Sequence, residues 1–311
     1  MHTFIKALLI LLLPCLLQAQ TLSLSFDDGL DPRQQPQASA WNAALLSALA
    51  QAKLKAILLP AGKRVNSPAG LAMVRAWGEA GHAIGNHTYS HNNLGDPATT
   101  LQAFEADVLK NEVLLASLPG WTKRLRFPYL KEGETQAKRD GFRAWLREHR
   151  YSAAPVSIDA SDWYYNARYL DWRKSHPESD AAPFREAYIR HLLDRATYYE
   201  GLAQKTLGRS PSHILLLHTN AINAAFLPQV MAAFRHKGWM FIDTREALKD
   251  PLYTLQPQTL PAGESILWAL AKQQQIPGLR YPGEDDVYEK PILDAVIKAS
   301  QTHDSNTPRD K

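Results

Sequence analysis

Five groups of residues able to do chemistry lie between positions 27 and 218: Asp27-Asp28, His87-Thr88-Tyr89-Ser90-His91, Arg126-Phe127-Pro128-Tyr129, Asp159-Ala160-Ser161-Asp162-Trp163 and His218. On a helical turn, histidines four apart share one face, which suits two imidazoles on a single metal ion. One carboxylate from another strand then completes a three-ligand set with a position left for water, as catalytic zinc requires. Neighbouring residues leaving a strand point in different directions. One of Asp27 and Asp28 can therefore bind metal while the other faces the water. A bound Zn²⁺ brings the pKa of water down to about 7, and a free carboxylate can then take its proton. Taken singly, each group has a plain alternative. Asp-Asp-Gly is a common turn, the histidine pair a surface accident, Arg126 a structural ion pair and His218 a satisfied core histidine. Their coincidence at the ends of successive predicted strands points to a metal-dependent hydrolase.

The elements that must position these groups are seven short apolar runs, at 22–26, 56–59, 82–86, 124–128, 152–158, 213–218 and 240–243. Helical patterns fall between them near 38–52, 67–80, 98–117, 135–149, 184–207 and 222–237. Regular alternation implies a parallel sheet with right-handed crossovers. Such folds collect reacting groups at the C-terminal ends of their strands. The expected fold class is α/β, a distorted seven-stranded (β/α) barrel. The 164–212 stretch reads as an insertion. It opens on an aromatic run (Trp163, Tyr164, Tyr165, Tyr169, Trp172) that suits either a sugar-binding groove or packing of the insertion itself. Past residue 250 the chain is an extension with a short helix near 264–274 and a polar, unfolded tail.

The 311-residue chain, 45% hydrophobic, can bury one sizeable core. Residues 1–19 read as a secretory leader, with Lys6 before an apolar stretch and Leu17-Gln18-Ala19 as the cleavage site. That stretch is shorter than the roughly 20 residues that span a bilayer. The expected mature chain, from Gln20, is exported, periplasmic or secreted, with no transmembrane segment. The only cysteine, Cys15, lies within the leader, so packing rather than disulfides must stabilise the rest. The formal net charge of +4 falls by one with the leader. It is too small and dispersed for a nucleic-acid partner, and the composition carries no signal of oligomeric state.

Together with Ser25-Phe26-Asp27-Asp28-Gly29 and Leu216-Leu217-His218, the motifs above resemble, in order, those of polysaccharide deacetylases, the NodB-homology group or carbohydrate esterase family 4. The resemblance runs from about 21 to 245, so 20–249 is the expected catalytic domain. It implies a NodB-like barrel and a divalent metal ion, zinc in most members, on Asp28, His87 and His91. It implies Asp27 as general base, Arg126 holding it ionised, His218 as general acid, and Asp162 tuning Arg126 or His218. The backbone N–H of Tyr129 would face the oxyanion, and Trp163 and Leu216 would receive the acetyl methyl. His82, which also fits the family pattern, reads as structural. Leu130-Lys131 stands where the family commonly has glycine.

The implied activity is removal of N-acetyl groups from an amino-sugar polysaccharide, a carbon–nitrogen bond outside peptides. The implied partner is an acetylated polysaccharide or oligosaccharide. Two alternatives keep the metal site, an O-acetyl esterase on a xylan-like polymer and a small-molecule amidase; a third is a non-catalytic carbohydrate-binding module on the same scaffold. A non-haem iron oxygenase also uses two histidines and a carboxylate, but leaves Arg126 and the second aspartate unexplained.

Overall fold

A computed structural model describes residues 20–280 and 286–304; the expected leader, with Cys15, lies outside the described residues. Strand β1 (Thr21–Asp28) is the axis of the sheet. It alternates Leu22, Leu24 and Phe26 with Ser23, Ser25 and Asp27, and both sets are buried. A parallel strand covered on both faces requires this. Phe26 meets Trp77 of the helical layer at 5.3 Å between ring centroids.

The other strands are β2 (Ile57–Pro60), β3 (Ala83–Asn86), β4 (Trp121–Leu125), β5 (Lys131–Gly133), β6 (Ser152–Ala153), β7 (Ser212–His218), β8 (Met240–Phe241) and β9 (Ala262–Gly263). The main sheet is seven-stranded and parallel, in the order β6-β4-β3-β2-β1-β7, with β8 pairing the start of β1. Strands β5 and β9 form a separate antiparallel ribbon. A single bridge between Ile158 and Leu215 links the segment after β6 to β7 and curls the sheet toward a barrel.

All seven expected strands occur, with two boundary corrections. The run 152–158 is not one strand, because Pro155 has no N–H for the ladder. Only Ser152–Ala153 and the bridge at Ile158 pair. The run 124–128 is displaced to Trp121–Leu125, since Pro128 opens a 3₁₀ turn over Pro128–Leu130.

The helices are α1 (Ala38–Gln51), α2 (Gly62–Val65), α3 (Pro68–Glu79), α4 (Leu101–Leu115), α5 (Gln136–Glu148), α6 (Asp162–Ser175), α7 (Ala182–Leu207), α8 (Ala221–His236), α9 (Thr244–Ala247), α10 (Ile266–Gln273) and α11 (Asp286–Asp304). Their starts follow local chemistry. Ser67, Thr100, Thr135 and Asn220 each accept a backbone N–H three residues on, the usual N-cap bond. No helix among the described residues is long and apolar enough to cross a membrane.

Helix α6 is absent from the expected elements. Its signal is the aromatic run itself, since buried Asp162, Tyr165, Tyr169 and Trp172 recur at helical spacing. Tyr169 and Trp172 pack on Phe184 of α7, so these aromatics are core and Trp163 alone among them is an exposed large apolar side chain. Helix α11 is also unexpected; it seats Glu289 and Leu293 in buried positions, and the tail after Asp304 lies outside the described residues.

A second apolar cluster (Phe104, Leu125, Phe127, Phe142, Trp145) supports β4 from outside. Phe142 sits edge-on to Phe104 at 4.9 Å and to Phe127 at 5.3 Å. Phe142→Ala should destabilise the fold by about 3–5 kcal/mol through lost burial and an unfilled cavity, measured as a lower denaturant midpoint at unchanged slope.

Candidate active site

All five motifs meet at the C-terminal edge of the sheet, around one cavity of about 620 Å³. Asp27 and Asp28 end β1 and diverge as expected. Asp27 turns inward to full burial, whereas Asp28, at φ 83°, faces the cavity. The histidine motif departs from expectation, because residues 87–91 form no helical turn. They make a bent loop in which Thr88 (φ 60°) and His91 (φ 59°) are left-handed. Side chains impose the bend. Asn86 Oδ1 accepts Thr88 N–H at 2.9 Å, and Asp107 accepts the Ser90 N–H and hydroxyl at 2.7 and 2.8 Å. The spacing was right and its cause was not: a loop, not a helix face, brings the two imidazoles together.

The possible ligand atoms of Asp28, His87 and His91 lie within 4.8 Å of one another. His87 Nδ1–H donates to the Arg126 carbonyl at 2.9 Å. That bond leaves the Nε2 lone pair for the cavity, a usual arrangement around metal-binding histidines. His87 Nε2 and His91 Nε2 approach to 3.1 Å, and His91 Nε2 stands 3.6 Å from Asp28 Oδ1. Asp28 Oδ1 is buried and makes no hydrogen bond; Arg64 Nε lies 3.1 Å away but outside hydrogen-bond geometry. Two imidazoles and one carboxylate facing each other, with Asp28 Oδ1 lacking any hydrogen bond, fit a divalent cation.

Arg126 is buried behind this cluster. Its Nη1 donates to both oxygens of Asp27, at 3.2 and 3.1 Å, Nη2 donates to Ser25 Oγ at 3.1 Å, and Nε donates to the Ala154 carbonyl. Burial raises Asp27 to about 6 despite the opposing charges of Arg126 and His218.

His218 ends β7, across β1 from the histidine loop. Its Nδ1–H donates to Asp162 Oδ1 at 2.6 Å, and its backbone N–H donates to Oδ2 at 2.8 Å. Burial disfavours the imidazolium, but the charge and hydrogen bond of Asp162 prevail and raise His218 to about 10. Asp162 thus acts on His218, the second of the two expected partners. Asn220 and Asn223 also donate to it. Tyr129, Trp163 and Leu216 line the same cavity. Tyr129 has φ 56° and its ring meets His91 edge-on at 4.8 Å.

The sequence reading missed Arg64, Glu264, Asn220 and Asn223, and singled out Lys131 only beside Leu130 as a departure from the family pattern. Only the asparagines had a local signal, Asn220 as an N-cap ahead of α8. Asp159, quoted without a role, is a buried cavity residue raised to about 7 by burial and then by Glu264. His82 is structural as expected. Its Nδ1 accepts the Ala56 N–H at 3.0 Å, and burial lowers it to about 4.

Because the folded pKa of His218 lies above its ordinary 6.5, its contribution to stability is complete below pH 6.5 and lost as pH rises through about 10. Asp162→Asn should return the His218 pKa toward 6.5 and remove that window. NMR titration of the imidazole in metal-free protein, with unfolding at pH 6 and pH 10, checks both; an unmoved pKa would sink the pairing.

The sequence profile of the polysaccharide deacetylase family matches residues 17–145. A peptidoglycan-N-acetylglucosamine deacetylase of Bacillus cereus is 32% identical over 143 residues, 46% of this chain and 46% of that protein. The chain therefore spans about half the length of the curated relative it matches. Among solved structures, a peptidoglycan N-acetylglucosamine deacetylase superposes with a TM-score of 0.52 at 20% identity, covering 74% of this chain and 88% of that one. A family 4 pseudoenzyme of Bacillus anthracis gives a TM-score of 0.52 at 13% identity, covering 75% and 66%. These likenesses show the fold. The profile match and the ordered motifs make residues 17–145 similar to the polysaccharide deacetylase family, the NodB-homology group of carbohydrate esterase family 4.

Proposed function

We propose that the chain is a metal-dependent hydrolase that removes N-acetyl groups from an amino-sugar polysaccharide outside the cytoplasm. One observation carries the reading: an arginine-held carboxylate and a carboxylate-held imidazole flank the Asp28–His87–His91 cluster in one cavity. Binding alone needs neither a base nor an acid. The name of the Bacillus cereus relative supports an N-acetyl substrate, and residues 1–19 support export.

Asp28, His87 and His91 would hold the ion, with zinc the expected species. When bound, it supplies a water of lowered pKa and polarises the acetamide carbonyl. Asp27 takes the proton of the attacking water, and Arg126 fixes which way its carboxylate points. The Tyr129 N–H, on a rigid left-handed turn, stabilises the developing oxyanion. His218 gives its proton to the leaving nitrogen, and Asp162 keeps the imidazole charged until then. Trp163 and Leu216 enclose the acetyl methyl. In the metal-free protein, burial raises Asp27 to about 6 and Asp162 raises His218 to about 10, so a deprotonated carboxylate and a protonated imidazole coexist between those values.

Asp27→Asn should bind metal as the wild type does while losing about 10²–10⁴-fold in kcat, the usual range for a general base. It should also unfold more readily, because Arg126 is left without its counter-charge. Acetate release beside metal content checks this; substantial turnover in the variant would remove Asp27 from the mechanism. His218→Ala should harm amide hydrolysis more than ester hydrolysis, since an alkoxide needs less help to leave than an amine. Chito-oligosaccharides, peptidoglycan, poly-N-acetylglucosamine and acetylated xylan make the substrate panel. Release from xylan alone would turn the assignment to an esterase.

A further inference from the structure

Residues 262–266 lie more than a hundred positions beyond the family match, yet they reach the cavity. Strand β9 pairs antiparallel with β5, Lys131 opposite Gly263 and Gly133 opposite Ala262. Directly after it, Glu264 N–H donates to the Leu130 carbonyl at 2.8 Å. The next two residues face the other way. Ser265 Oγ–H donates to the Ser157 carbonyl at 2.8 Å, and Ile266 N–H donates to the Val156 carbonyl at 2.9 Å. Five residues thus join the turn after β4 to the segment approaching β7, across the stretch where Pro155 interrupts the sheet. Arg139 and Arg143 of α5 anchor the preceding chain through the carbonyls of Gln258 and Pro257, at 2.7 and 3.0 Å.

The turn so held is the strained one. Tyr129 and Leu130 have φ of 56° and 55°. Consecutive left-handed non-glycine residues persist only when their surroundings over-determine them. Gly263 allows the close approach. At φ 122°, a Cβ there would meet the Leu130 carbonyl oxygen at 2.0 Å and Glu132 N at 2.9 Å. Glu264 also pairs with Lys131, and both side chains line the cavity.

We infer that this segment is part of the active site, with Gly263 and the Glu264 backbone positioning the Tyr129–Leu130 turn and the Glu264–Lys131 pair forming a substrate-facing wall. The inference rests on the deacetylase reading for its catalytic half alone. The coupling between segment and turn stands on geometry.

Gly263→Ala tests it, with Gly278→Ala as control. Gly278 also has positive φ, 72°, but a Cβ there meets nothing within 4 Å. In Gly263→Ala, amides 131–133 should exchange faster with deuterium. Displacement of the turn by about 1 Å should lower kcat by about 10- to 100-fold, with KM and metal content little changed. Gly278→Ala should match the wild type. Glu264→Gln, which leaves the backbone bonds in place, should raise KM severalfold. Unaltered exchange at 131–133, or full kcat in a folded Gly263→Ala protein, would overturn the positioning role. An unchanged KM in Glu264→Gln would overturn the wall. A wild-type chain that releases no acetate from any substrate fails the deacetylase reading instead, and the exchange data then decide the coupling.

Discussion

A guanidinium removed from water must have its donors met and its charge balanced, because the unpaired ion costs several kcal/mol. Arg126 satisfies that demand by drawing separate parts of the chain to one point. Its side chain reaches Asp27 and Ser25 on β1 and the Ala154 carbonyl beyond β6. Its backbone N–H bonds the Asn86 carbonyl at the end of β3, and its own carbonyl orients His87. The candidate base, one candidate metal ligand and the edge of the sheet therefore share a single anchor. Loss of the Arg126 side chain would disturb the position of Asp27 as well as its charge.

On the other side of β1 the charges are reversed. Asp162 is the buried ion and His218 the group it governs, and the carboxylate's remaining needs fall to Asn220 and Asn223. Burial works against the charged form of both Asp27 and His218. Arg126 only moderates it for Asp27, whereas Asp162 overcomes it for His218. Environments that separate two pKa values in this way suit one cavity to a candidate base and a candidate acid together.

The seven strands and the six helices expected between them are legible because each leaves a local pattern, whereas the choice of Asp28 over Asp27 as a candidate ligand came only with the family resemblance. Apolar runs give strands, and reactive residues at strand ends give the site. What escaped was non-local. Nothing around Arg64 marks it as a neighbour of Asp28; it arrives because α2 docks on the histidine loop, with Gly62 N–H and Lys63 N–H bonding the Thr88 and Tyr89 carbonyls. Glu264 escaped for the same reason, since its partner Lys131 is 133 residues away. Helix α6 is hidden for another cause: an aromatic run suits a sugar-binding groove as well as a packed helix, and only the fold decides for packing.

Backbone strain connects these pieces. Of the ten described non-glycine residues with positive φ, seven stand in or beside the cavity: Asp28, Thr88, His91, Tyr129, Leu130, Ser161 and Glu264. Left-handed geometry costs such residues about 1–2 kcal/mol each, so the site is assembled against local preference. The opposing bonds are long-range ones, from Asp107 to the histidine loop, from Glu264 to Leu130 and from Asp162 to the end of β7. A chain that relaxed these bends would keep its barrel and lose the convergence of its reactive groups. That separation is the physical reason why likeness of fold, which extends here even to a pseudoenzyme, does not by itself establish catalysis.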